Sequence, residues 1–278
     1  MCREQTEAAM TRNALAIVFT AILAACSITP MTTKPPSEAV AQLAPTGKLR
    51  AVINTGNPVL AKAGPAGGEP GGVSVDLARE LAKRLGAPLE MTVVNTAALS
   101  VEALKSKRVD VGFIAIDPVR AADMDFTAAY VLIEGAYMVP MNSRIRSNTD
   151  VDRRGVRVGV GAGSAYDLYL TRELKQAEIV RASTSQAVAD LIATNRIDVM
   201  AGVKQQLESD AKRLPGWHML DGRFMVIEQA MAAPKGRPEG AGYLASFVEE
   251  MKSSGFVANA LARNGIEGAT VAPPGSIR

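Results

Sequence analysis

The sequence predicts an α/β protein in which two units of like plan are joined by two extended crossings. Three observations carry this. From Leu49 to about Thr127, strand-length apolar runs alternate with helical stretches, β-α-β-α-β-α, which argues for a parallel sheet with right-handed crossovers. The same alternation restarts at Arg157 and runs to Leu214. Two long extended runs, residues 130–140 and 223–234, leave the first unit and come back to it, so the first unit is discontinuous.

The elements follow in order. LRAVINT (49–55) is a first strand, ending in a polar turn that holds Asn54 and Asn57. Residues 63–72 form a Gly/Pro loop. Residues 73–85 are a helix with apolar positions 77, 78, 81, 82 and 85 on one face and Gly86 as its C-terminal cap. LEMTVVN (89–95) is a strand and 96–108 a helix. In the second unit RVGVG, EIVRA and RIDVMAG are strands, with helices at 164–174, 184–195 and 203–214. Residues 239–255 and 256–265 are two amphipathic helices.

One stretch carries chemistry. VDVGFIAI (109–116) is a buried strand, and Asp117-Pro118 reads as cap and first residue of a helix, which places Arg120 in its first turn. A cation at the carboxyl end of a strand sits where open α/β sheets bind ligands, and a helix N-terminus adds attraction for anions. Arg supplies a two-pronged donor suited to a carboxylate. The plainer reading is a solvated Arg120 paired with Asp123.

The 278 residues carry a formal charge of +3 with two Cys and one His. No Lys/Arg cluster appears and aromatics are few, so nucleic acid is not the expected partner. Residues 10–27 read as a secretion signal: Arg12 is basic, and 14–25 is an apolar stretch too short to span a membrane. It ends in Leu23-Ala24-Ala25-Cys26, which resembles the bacterial lipobox and implies lipidation of Cys26; cleavage at a small-residue site is the alternative. The expected division is a signal peptide at 1–25, a tether at 26–46, a first lobe at 47–132 with 230–278, a second lobe at 138–225, and hinges near 133–137 and 226–229.

Four segments in order, GGVSVDLARELAKRLG, LKSKRVDVGFIAIDPVRAADMDFTAAY, GVRVGVGAGSAYD and ATNRIDVMAG, resemble the family 3 extracellular solute-binding proteins, receptors of amino-acid-type ABC importers. The resemblance covers about residues 47–265. It implies the two-lobe periplasmic-binding-protein fold, two hinge strands, a cleft ligand and a monomeric, periplasmic receptor that serves an inner-membrane ABC permease. It also implies that Arg120 clamps a ligand carboxylate, beside Ala115 at the strand end. Gly163, Ser164 and Ala165 match the family's ligand-binding turn in the second lobe, and Asn54 and Asn57 its first cleft loop. Where the family commonly places an acid for the ligand ammonium, this chain reads Met200-Ala201-Gly202. Glu134 and Glu228 are candidate substitutes, with Gln229 a further polar candidate. The solute is thus expected to be an amino acid or a related organic acid.

No metal-ligand cluster and no cofactor fingerprint stand out, and no catalytic residue is assigned. The alternative function is a periplasmic dehydratase on the same scaffold, resembling cyclohexadienyl dehydratase, with Glu134 or Glu228 as its acid.

Overall fold

A computed structural model describes residues 34–275. The expected signal peptide, Cys26 and the start of the tether lie outside them.

The described chain enters through α1 (Ser37–Leu43), inside the segment expected to be a tether. Ala39 and Leu43 are buried, and Gln42 Oε1 accepts the Gly240 N–H at 2.9 Å. Two apolar residues at i and i+4 are enough for a helix that docks on another, but too brief a pattern to stand out beside the flanking prolines.

The first lobe runs β1 (Leu49–Asn54), α2 (Val73–Leu85), β2 (Leu89–Val94), α3 (Ala97–Lys105) and β3 (Val111–Ala115), with β1 parallel to both neighbours. All five predicted apolar positions of α2 are buried, and Gly86 takes the left-handed conformation that closes the helix. After β3 the expected helix does not form. Asp117 Oδ1 accepts the Val119 N–H at 2.9 Å, and a 3-10 turn, Arg120–Ala122, leads straight into β4 (Met124–Pro140). The apolar pattern from Met124 draws the chain back into the sheet before a helix can propagate. No helix dipole therefore supports an anion here; the Arg120 charge acts without it.

The second lobe repeats the plan: β5 (Arg157–Gly161), α4 (Ala165–Glu173), β6 (Glu178–Ala182), α5 (Val188–Ala193), β7 (Val199–Val203) and α6 (Lys204–Ala211), with β5 parallel to β6 and β7. After β8 (Trp217–Met219), the chain returns through β9 (Met225–Pro234) to α7 (Pro238–Ser253), α8 (Phe256–Arg263) and β10 (Thr270–Val271). The strand order is β2-β1-β3-β9-β4-β7-β5-β6, with β8 and β10 also on β4. β4 pairs with β9 from Met124 to Gly135 and with β7 from Gly135 to Met138, so one continuous strand belongs to both halves of the sheet.

A common device locks each parallel sheet. Arg50 on β1 gives both guanidinium prongs to Asp110 at 2.8 and 2.7 Å, and its backbone N–H to the same carboxylate at 3.1 Å. Arg157 on β5 does the same to Asp198, all three at 2.9 Å. Each Asp lies just before the third parallel strand of its lobe in chain order, β3 or β7, in the matching sequences RVDVGF and RIDVMA.

Candidate functional site

The site forms where loops at the strand ends of the two lobes face each other across a cavity. From the first lobe come Asn54, Asn57, Ala115 and Arg120; from the second, Ser164 and Ala165; from the returning strand, Gln229. The cavity encloses about 60 Å3, counted as room for the centres of water molecules.

Arg120 is 3% exposed. Its Nη1 donates to the Ala115 carbonyl at 3.0 Å and its Nη2 donates to the Gly163 carbonyl at 2.8 Å. The guanidinium thus bridges the lobes through backbone oxygens, and no carboxylate is hydrogen-bonded to it. Burial pushes its pKa down to about 10, opposed by the negative charge of Asp117. It does not pair with Asp123, which takes Lys105 instead. Asp117 is also buried, and its Oδ2 accepts from Arg172 Nη2 on α4 at 2.9 Å.

The turn at 163–164 is built for close approach. Gly163 has φ +68°, and a Cβ there would lie 2.9 Å from the Ala98 methyl on the opposite lobe. Asp167 holds the turn by accepting the Gly163 N–H at 2.8 Å, and Arg181 neutralises it. Ser164 Oγ accepts the Asp167 N–H at 3.0 Å, so its capping role is realised at the cavity wall. Gly163 contributes its carbonyl to Arg120 and does not itself line the cavity.

Asn54 Oδ1 accepts the Gly56 N–H at 2.9 Å and Asn57 Oδ1 accepts the Val59 N–H at 3.2 Å. Both side chains shape their own turn while lining the cavity, which leaves their amide N–H groups and a second lone pair on each oxygen for other partners. Glu134 is not in the cavity wall. Its carboxylate takes Lys204 at 2.9 Å and Arg223 at 2.8 Å, which hold it below the usual carboxylate range. Glu228 is exposed, whereas its neighbour Gln229 is 6% exposed with Oε1 unpartnered.

Sequence reasoning missed Thr184, Ser185, Gln206 and Asp210, all in the second-lobe wall. Tyr166 donates its hydroxyl to Ser185 Oγ at 2.7 Å, and burial raises its pKa. Asp210 is 1% exposed, ion-paired with Arg213 and hydrogen-bonded by Gln206 Nε2 at 3.1 Å. The TSQ stretch was a polar signal beside a strand end; Asp210, on a helix face, gave none.

Among the described residues no group of three or more His, Cys, Asp or Glu is placed to hold a metal. None of their helices is long and apolar enough to cross a membrane.

No curated protein matches the chain by sequence. Among solved structures, the chain is similar to a cysteine-binding protein from Campylobacter jejuni (TM-score 0.70, 22% identity, 81% of this chain and 92% of that one). A solute receptor for L-cysteine of Neisseria gonorrhoeae gives TM-score 0.70 at 23% identity over 81% and 92%. An ancestral amino acid-binding protein, a precursor of cyclohexadienyl dehydratase, gives 0.67 at 21% over 81% and 97%. At such identities these likenesses establish the fold, two α/β lobes joined by paired strands. The profile of the bacterial extracellular solute-binding proteins, family 3, matches residues 49–264, and the chain belongs to that family.

Proposed function

We propose that this chain is the receptor of an ABC importer, held in the periplasm by a lipid on Cys26, and that it captures a small carboxylate-bearing solute by closing its lobes. The observation that carries the reading is Arg120: a buried cation in the cavity wall, hydrogen-bonded to a carbonyl on each lobe and to no carboxylate. Burying a charge without a counter-charge costs several kcal/mol, and a ligand carboxylate removes that cost. Because Arg120 meets both lobes only when they are together, a solute on it stabilises the closed form by its preference for that form. The receptor works as a monomer and delivers its solute to an inner-membrane permease.

A dehydratase needs a carboxylic acid near the clamp. Glu134 is engaged by two cations outside the wall, and the wall carboxylate Asp210 is paired with Arg213, so the receptor reading has the better support.

The test is titration calorimetry with a carboxylate ligand found by thermal-shift screening. Arg120→Ala should weaken binding at least about tenfold. Unchanged affinity would remove Arg120 from the site.

A further inference from the structure

We infer that the cleft selects a compact monoanionic acid whose α-substituent is uncharged, of the 2-hydroxy or 2-oxo class, over the zwitterionic amino acid of the same skeleton. This rests on the carboxylate reading above and deepens it.

The argument is one of charge balance. Arg120 and Asp210 are the only Asp, Glu, Lys, Arg or His side chains in the cavity wall, among the described residues. Asp210 already has its partners, the Arg213 guanidinium and the Gln206 amide. Asp117, the carboxylate whose field reaches Arg120, is held by Arg172 and by the Val119 N–H. One positive charge is left over. A monoanion neutralises it. A zwitterion brings the same carboxylate but adds an ammonium, for which the wall offers no free carboxylate.

Neutral groups are what remains for the α-substituent. The Gln229 amide stands in the wall on the strand position paired with Ala115, whose carbonyl Arg120 holds. Gln229 is more than nine-tenths buried and its Oε1 has no partner. A neutral amide can accept from a hydroxyl or, through its NH2, donate to a keto oxygen. It cannot offset the charge of a dehydrated ammonium, which costs several kcal/mol when left unpaired. The space, about 60 Å3 for water centres, holds on the order of four to six waters, which suits a short skeleton.

The experiment is titration calorimetry at neutral pH on the mature chain, refolded to strip any carried ligand. It uses matched monocarboxylate pairs: glycolate against glycine, L-lactate against L-alanine, 2-hydroxyisovalerate against L-valine. In any pair that binds, the hydroxy acid should bind at least about tenfold tighter. Equal or tighter binding of the amino member overturns the inference and leaves the carboxylate clamp standing. Binding by neither member of any pair, with no other carboxylate bound in the thermal-shift screen, overturns the clamp and the inference together. Asp210→Asn separates the remaining route, in which Asp210 trades Arg213 for a ligand ammonium. In a variant whose melting shows it folded, the hydroxy member of a pair should still bind more tightly than its amino partner. An amino acid whose binding disappears with Asp210 overturns the inference.

Discussion

Asp117, in the turn after β3 of the first lobe, accepts a 2.9 Å hydrogen bond from Arg172, on α4 of the second. Asp117 is buried and the Arg172 side chain is 40% exposed. The pair joins the two lobes near Arg120, so it stabilises the closed form with no help from a solute. Screening at the exposed Arg limits it to about 0.5–1 kcal/mol. Arg172→Ala should therefore weaken solute binding about two- to fivefold, mainly by faster release, with little change in melting temperature. Stopped-flow release rates check this. An unchanged release rate would show that the pair is not part of closure.

Gly163 does for backbone what Asp117 does for charge. Its φ of +68° suits glycine, and a Cβ would sit 2.9 Å from that of Ala98 across the cleft. Gly163→Ala should cost about 1 kcal/mol of stability from strain and, separately, weaken binding at least about tenfold by holding the lobes apart. Gly155 is the control. It has φ +86° with nothing within 4 Å of its Cβ position. Gly155→Ala should show the strain and leave affinity alone. Equal affinities for the two variants would refute the spacing argument.

Glu134 lies where β4 passes from one lobe's pairing to the other's, tied to Lys204 on α6 and to Arg223 just before β9. Its carboxyl is held below the usual range, first by the Lys204 hydrogen bond and then by Arg223. A carboxylate with a depressed folded pKa binds fewer protons folded than unfolded. Its contribution is complete above the unfolded value near about 4.3 and is lost as pH falls through the folded one. Glu134→Gln should lower the melting temperature at pH 7, and the gap to the parent should close in acid below about pH 4. Solute affinity should stay within about twofold, since the side chain does not line the cavity. Melting curves across pH, with calorimetry at pH 7, decide it.

What could be read from sequence follows the range of the interaction concerned. Alternating strands and helices, the Gly86 cap and the apolar face of α2 are local patterns, and they match the structure. Arg120, Asn54, Asn57 and Ser164 were legible because strand ends converge at the cleft in this architecture. Glu134 was not, because its placement depends on counting alternation along β4. The pairing of β4 with β9 shifts register between Phe126 and Ala129 and again before Val131, and each shift changes which face the next residue takes. On β9 the alternation of Glu228 outward and Gln229 inward is intact beside the cavity. Asp210 reaches the wall through packing between elements distant in sequence, which no local pattern encodes, whereas Thr184 and Ser185 sit in a polar stretch just after the end of β6. The helix expected after Asp117 failed for the converse reason: good capping residues were present, but the sheet reclaimed the chain within one turn.

The twin Arg–Asp locks give a prediction about how the two lobes differ. Arg50–Asp110 and Arg157–Asp198 share their geometry, yet Asp110 is fully buried and also receives Arg237 at 2.8 Å, while the Asp198 side chain is 38% exposed. Removing a buried carboxylate strands the cations around it, at a cost of about 3–5 kcal/mol. Removing an exposed partner costs about 1 kcal/mol, because water screens what is left. Asp110→Ala should thus lower the melting temperature several times more than Asp198→Ala, although the two side chains make the same bonds to their Arg. Arg237 comes from the chain after it has returned through β9, so Asp110 also fastens the discontinuous part of the first lobe to its sheet. Asp110→Ala should accordingly increase hydrogen exchange in α7 along with β1, while Asp198→Ala affects β5 and β7 alone. Equal melting shifts, or unchanged exchange in α7, would contradict the unequal roles assigned to the two locks.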